Sequence, residues 1–96
     1  MTSKQRAYLR GLTNKIDPIF QIGKSGIGDN LIKQLDDALE ARELIKVTVL
    51  ETVEEEIKVI AEKISVQTKS EVVQVIGRKI TLYRPKKKDP KIVLPK

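Results

Sequence analysis

Two periods of apolar residues alternate along this chain. At spacings of three and four residues, Tyr8, Leu9, Leu12 and Ile16 form one stripe. Leu31, Ile32, Leu35, Ala38 and Leu39 form a second, and Val53, Ile57, Ile60, Ala61 and Ile64 a third. Such a stripe is the buried face of an amphipathic helix. Between and after the helical segments lie short β-branched runs, Ile19 to Ile22, Leu44 to Leu50, Val72 to Ile76 and Lys79 to Arg84, which read as strands. The run from Leu44 to Leu50 is almost continuously apolar, as a strand covered on both faces requires.

Local signals set the boundaries. Thr2 and Gln5 form a capping box that opens a first helix reaching about Lys15, and Asp17-Pro18 ends it, because the residue before proline is pushed out of helical geometry. Gly28 is the expected N-cap of the second helix, with Asp29 complementing its dipole, and that helix runs to about Arg42. Thr52 and Glu55 suggest a second capping box for the third helix. Gly77-Arg78 suits a two-residue II′ hairpin turn. The expected order is α-β-α-β-α-β-β, a compact single α/β domain with a mixed four-stranded sheet. Its two strand–helix–strand crossovers should be right-handed and parallel, with an antiparallel hairpin closing the sheet. Residues 1–84 hold this pattern. Residues 85–96 form a basic tail in which three prolines and five lysines oppose regular structure, while Ile92, Val93 and Leu94 offer apolar contacts for docking on the body.

Charge sharpens the picture. The 96 residues carry a formal +6, unevenly spread: +2 over residues 1–46, −3 over 47–76 and +7 over 77–96. That segregation favours a polyanionic partner, nucleic acid ahead of a membrane surface. No apolar run approaches a membrane span and Met1 to Lys15 lacks a signal-peptide centre, so the expected residence is cytoplasmic.

Catalytic classes fall away by composition. Without His or Cys there is no imidazole base, thiolate nucleophile or ordinary zinc ligand, and neither metal nor cofactor is expected. Asp36, Asp37 and Glu40 are the one carboxylate cluster of note, and helical geometry puts them away from Leu31, Leu35 and Leu39 on a solvated face. Gly23-Lys24-Ser25 resembles the end of a P-loop, but Pro18 stands where that motif needs a glycine. Aromatic stacking platforms are equally scarce. Tyr8 and Phe20 sit in apolar patterns that predict core positions, and Tyr83 reads either as a packed ring with its hydroxyl at the rim or as a base-stacking surface.

What remains is backbone contact. Gly23-Lys24-Ser25-Gly26 lies between a strand and a helix start. The glycines permit a tight turn and close approach, the helix start adds unpaired N–H donors, and Lys24 adds a full positive charge, so this corner favours anions. A loop of G-x-x-G form is how KH modules clamp a nucleic-acid backbone.

Four segments together carry a family likeness: Lys4 to Leu12, Asp17 to Gly26, Glu43 to Val47 and Val75 to Pro85. In this order the chain resembles the CRM domain, and more narrowly its bacterial single-domain YhbY-type members. The resemblance implies an RNA-binding module shaped like the C-terminal domain of bacterial translation initiation factor three. It implies association with rRNA in precursors of the large ribosomal subunit, or intron splicing as in plastid relatives. It maps the family's G-x-x-G loop onto Gly23, Lys24, Ser25 and Gly26, and suggests supporting basic residues, for which Arg6, Arg10 and Lys33 are the nominees. A monomer that takes no small-molecule substrate is expected. A protein-interaction adaptor on ribosomal particles, using the tail or the acidic stretch from Glu54 to Glu62, is the competing reading.

Overall fold

The computed structural model describes residues 1–23 and 26–96. Its elements are α1 (Ser3–Thr13), β1 (Phe20–Ile22), α2 (Asp29–Arg42), β2 (Leu44–Val49), α3 (Ile57–Thr68), β3 (Glu71–Ile76) and β4 (Lys79–Tyr83). The strands form a mixed four-stranded sheet in the order β1-β2-β4-β3. β1 runs parallel to β2, pairing Phe20 with Val47 and Ile22 with Val49. β4 lies antiparallel between β2 and β3. β2 and β3 therefore point the same way, but the hairpin strand separates them.

Alternation along β2 divides the interior in two. Ile45, Val47 and Val49 join Ile22, Ile80 and Leu82 beneath Leu35 and Leu39 of α2 and Ile60, Ala61 and Ile64 of α3. On the opposite face Leu44, Val73 and Tyr83 receive Leu9 of α1, with Leu12, Ile16, Ile92 and Leu94 packed around them. Successive strand residues point to opposite faces, so β2 gives Ile45, Val47 and Val49 to one cluster and Leu44 to the other, with Lys46 and Thr48 on the Leu44 face.

The helix boundaries obey local chemistry with two exceptions. The Thr2–Gln5 capping box is formed in both directions. α1 nevertheless stops at Thr13 rather than Lys15, and Tyr8, expected in the core, is 44% exposed because the buried stripe narrows to Leu9 with Leu12 and Ile16 at its margin. The Thr52–Glu55 capping box is absent. α3 begins at Ile57 with Glu56 as an N-cap lacking a side-chain bond, and Val53 precedes the helix. The stretch after β2 is bound elsewhere: the Arg78 guanidinium donates to the carbonyls of Val49, Leu50 and Val53, and Val53 N–H closes a turn on Leu50. Gly77, at φ +58°, makes the hairpin turn that aims Arg78 there.

Glu43 is the joint of the molecule. It caps α2 at φ +66°, a conformation disfavoured for any residue with a Cβ. Its carbonyl accepts Arg84 N–H at 2.9 Å, fastening the end of β4. Its buried carboxylate accepts the N–H groups of Lys86, Lys91 and Ile92 at 3.0, 2.7 and 2.9 Å. The tail has no helix or strand, yet these bonds and the packing of Ile92 and Leu94 hold it against the body, with Val93 exposed. Asp36 and Glu40 are not simply solvated either, since both pair with Arg84.

Burial opposes the Glu43 charge, but the three N–H donors and the Lys86 ammonium outweigh it and hold the carboxyl below its ordinary range. The stability it adds is therefore present above the ordinary carboxylate pKa of 4.5 and lost as pH falls through the lower folded value. We expect the Lys86, Lys91 and Ile92 amide NMR signals to shift together in that acidic window, and Glu43→Ala to shift them at neutral pH and cost about 2–4 kcal/mol in a denaturant melt. Arg78→Ala should cost about 1.5–3 kcal/mol, with hydrogen exchange accelerating between residues 50 and 56.

Candidate nucleic-acid interface

The corner after β1 is set by strand pairing. β1 ends at Ile22, whose carbonyl accepts Leu50 N–H at 2.9 Å, so the chain must leave the sheet at Gly23. Gly26 N–H donates back to the Gly23 carbonyl at 2.9 Å, which brings the two glycines together. Gly26 sits at φ +74° and needs to be glycine on backbone grounds. Gly23 does not: a Cβ there would meet Leu50 Cδ1 at an ordinary 3.6 Å. Lys24 and Ser25 lie outside the described residues.

α2 then starts at Asp29 behind Gly28, an extended N-cap that offers no side-chain bond. The first helical hydrogen bond of this turn runs from Ile32 N–H to the Gly28 carbonyl. Among the described residues the N–H groups ahead of it meet no side-chain acceptor, at the positive end of a 14-residue helix. Asp29 offsets part of that field. Beside Gly26 opens a cleft of about 440 Å³, floored by Ile22, Ile27, Val53 and Ile60 and rimmed by Lys63, Glu55 and Gln67. Lys63 and Glu55 are paired across it.

The nominated cations do not form one patch. Lys33 is exposed on the second turn of α2, whereas Arg6 and Arg10 belong to α1, on the other face of the sheet. Arg10 is exposed. Arg6 is half-buried, and its guanidinium donates to the carbonyls of Val72 and Val73, where β3 bulges between Val72 and Gln74. It secures the edge strand with atoms that would otherwise reach a ligand. Arg78 and Arg84 are likewise committed to carbonyl groups. Planar guanidinium forks suit such multiple acceptors, and sequence counts alone do not distinguish an arginine used this way from a free one.

Among the aromatics, Tyr83 is a packed ring, its hydroxyl pushed above its ordinary pKa by burial and by the charge of Glu43. Tyr8, placed inside by its spacing, is instead the exposed ring, one turn beyond Lys4. Its position at the edge of a narrow stripe was the available signal. Among the described residues no group of three His, Cys, Asp or Glu side chains is arranged to hold a metal ion.

Comparison with known proteins identifies the family. The family model for the CRS1 / YhbY (CRM) domain matches residues 1–84. A Bacillus subtilis protein named "Probable RNA-binding protein YqeI" is 47% identical over 95 residues, covering 99% of both chains. A Haemophilus influenzae protein named "RNA-binding protein" is 34% identical across the whole of this chain and 96% of its own. The solution structure of SAV1595 from Staphylococcus aureus, described as a candidate RNA-binding protein, superimposes with a TM-score of 0.83 at 56% identity, covering 99% of each chain. With the family model matching residues 1–84 and relatives aligned over nearly the whole chain, the chain belongs to the CRS1 / YhbY (CRM) domain family.

Proposed function

We propose that this protein is a non-catalytic, cytoplasmic, monomeric RNA-binding factor that acts on rRNA in precursors of the large ribosomal subunit. The observation that carries the reading is the glycine pair, Gly23 and Gly26, folded together at the uncapped mouth of α2 in a chain whose relatives are named as RNA-binding proteins. Gly23 supports it in particular, because neither its backbone angle nor its neighbours call for glycine, whereas close approach of a phosphate would. Backbone N–H groups at the corner hold phosphate oxygens, Lys24 supplies charge and Ser25 a hydroxyl. Lys33 and Arg10 add attraction that is independent of sequence. Arg6 contributes its charge to the field, with its hydrogen-bonding atoms occupied by β3.

A second reading, the adaptor, is favoured by one surface. Val59 and Val66 are 39% and 70% exposed on α3 and line a shallow groove with Glu62, Lys63 and Gln67, an apolar surface poorly suited to RNA. Partners that survive nuclease treatment in a pull-down would favour it.

Lys24→Asp combined with Ser25→Asp should abolish binding to structured rRNA in a filter-binding assay and leave the melting temperature nearly unchanged. Retained binding removes the corner from the site. Wild-type affinity should fall roughly a hundredfold between 50 and 200 mM salt if about four phosphates are neutralised, and a flat response excludes backbone-dominated binding.

A further inference from the structure

We propose that the part of the sheet left uncovered by α1 is a second RNA surface, taking single-stranded RNA as it leaves the glycine corner. This rests on the corner reading above. α1 packs on Leu44, Val73 and Tyr83, at one end of its face of the sheet. The strand registers define what that face shows toward the other end. Thr48 of β2 lies between Gln21 of β1 and Lys79 of β4, and Lys79 is paired in turn with Ile76 of β3. This row crosses all four strands, about 14 Å at the usual strand spacing. Behind it come Lys46, Thr81 and Gln74 in register.

The outer row is open to solvent. Gln21 and Lys79 are exposed, Ile76 is 63% exposed and Thr48 is half-buried. In the inner row Thr81 is buried, while Lys46 and Gln74 remain half-exposed on either side of it. Neither row contains a carboxylate. Unlike Arg6, Arg78 and Arg84, the Lys46 and Lys79 ammonium groups make no hydrogen bond or ion pair among the described contacts, so both are available to phosphate oxygens.

The remaining side chains fit the same occupant. Gln21 and Gln74 can donate to and accept from base edges or ribose hydroxyls, and Thr48 adds a hydroxyl. Ile76 offers an apolar contact for a base or sugar, in a family of sites where aromatic rings usually serve. The row also begins two residues before Gly23, on the strand that delivers the corner, so one strand of RNA can pass from corner to row without a gap. The row is about 14 Å across, narrower than a double helix, which favours single-stranded RNA.

The test compares Lys46→Gln with Lys79→Gln, as a double variant, against wild type on labelled single-stranded RNAs of 4 and 12 nucleotides, with thermal melts to verify folding. The expected result is about a tenfold loss on the 12-mer, a salt slope shallower by about 1.4 for two lost phosphate contacts on a single strand, and unchanged binding of the 4-mer. The Lys24→Asp, Ser25→Asp variant, run in parallel, should lose both RNAs. If the sheet variant binds the 12-mer with wild-type affinity and slope while the corner variant binds neither, the surface is wrong and the corner stands. If the corner variant binds normally, both fall. A sheet variant that keeps its RNA affinity but loses nuclease-resistant protein partners assigns the face to protein and overturns the proposal. Should the double variant melt early, Lys79→Gln alone, at an exposed position, must still lower the slope by about 0.7, and no change there is equally fatal.

Discussion

The parallel pairing of β1 with β2 governs the molecule. A parallel neighbour needs a crossover that leaves one end of the sheet and returns to the other, and α2 is that crossover. The chain must therefore turn out of the sheet immediately after Ile22 and begin a helix within a few residues. Glycines satisfy the turn, and the helix cannot avoid presenting its positive end there. The glycine corner is a consequence of topology before it is a matter of particular side chains.

β2 makes that topology stable. It is hydrogen-bonded on both edges and supplies residues to both apolar clusters, so α1 and the α2–α3 pair grip it from opposite faces. Glu43 joins this strand to everything at its starting end. One residue ends α2, fastens β4 through its carbonyl and gathers the tail on its carboxylate. The tail backbone at Lys86 and Lys91 is thereby held at the start of β2, whereas the glycine corner lies beyond its far end. The two regions therefore lie toward opposite ends of the sheet.

Charge in this protein divides into two kinds of work. Three arginines, Arg6, Arg78 and Arg84, satisfy carbonyl groups where the backbone is irregular: the β3 bulge, the loop after β2 and the end of α3. Lysines hold most of the positive charge that faces solvent. A flexible, strongly hydrated ammonium gives little to structure but is easily turned toward a phosphate. The division explains how a basic chain can be well packed and still present a surface attractive to RNA.

Much was legible in the amino acids themselves. The element order, the Thr2–Gln5 cap, Gly28 as N-cap, the Gly77-Arg78 turn and the glycine corner all follow from interactions within a few residues, which local sequence encodes directly. The misplaced features share a different origin. Thr52 and Glu55 have a good local cap, but Arg78, 26 residues beyond Thr52, binds carbonyls on both sides of Thr52. Tyr8 has core spacing, but α1 turns Leu9 onto the sheet and leaves Tyr8 on its outer side. Asp36 and Glu40 look solvated until the end of β4 brings Arg84 between them. Glu43 carries no local sign that three tail amides will converge on it. Likewise the open row from Gln21 to Ile76 exists only once four distant segments are in register. Short-range hydrogen bonding and periodicity were written in the chain; which charges are consumed, which ring is exposed and which face stays bare were decided by long-range packing, because each depends on partners that meet only when the sheet closes.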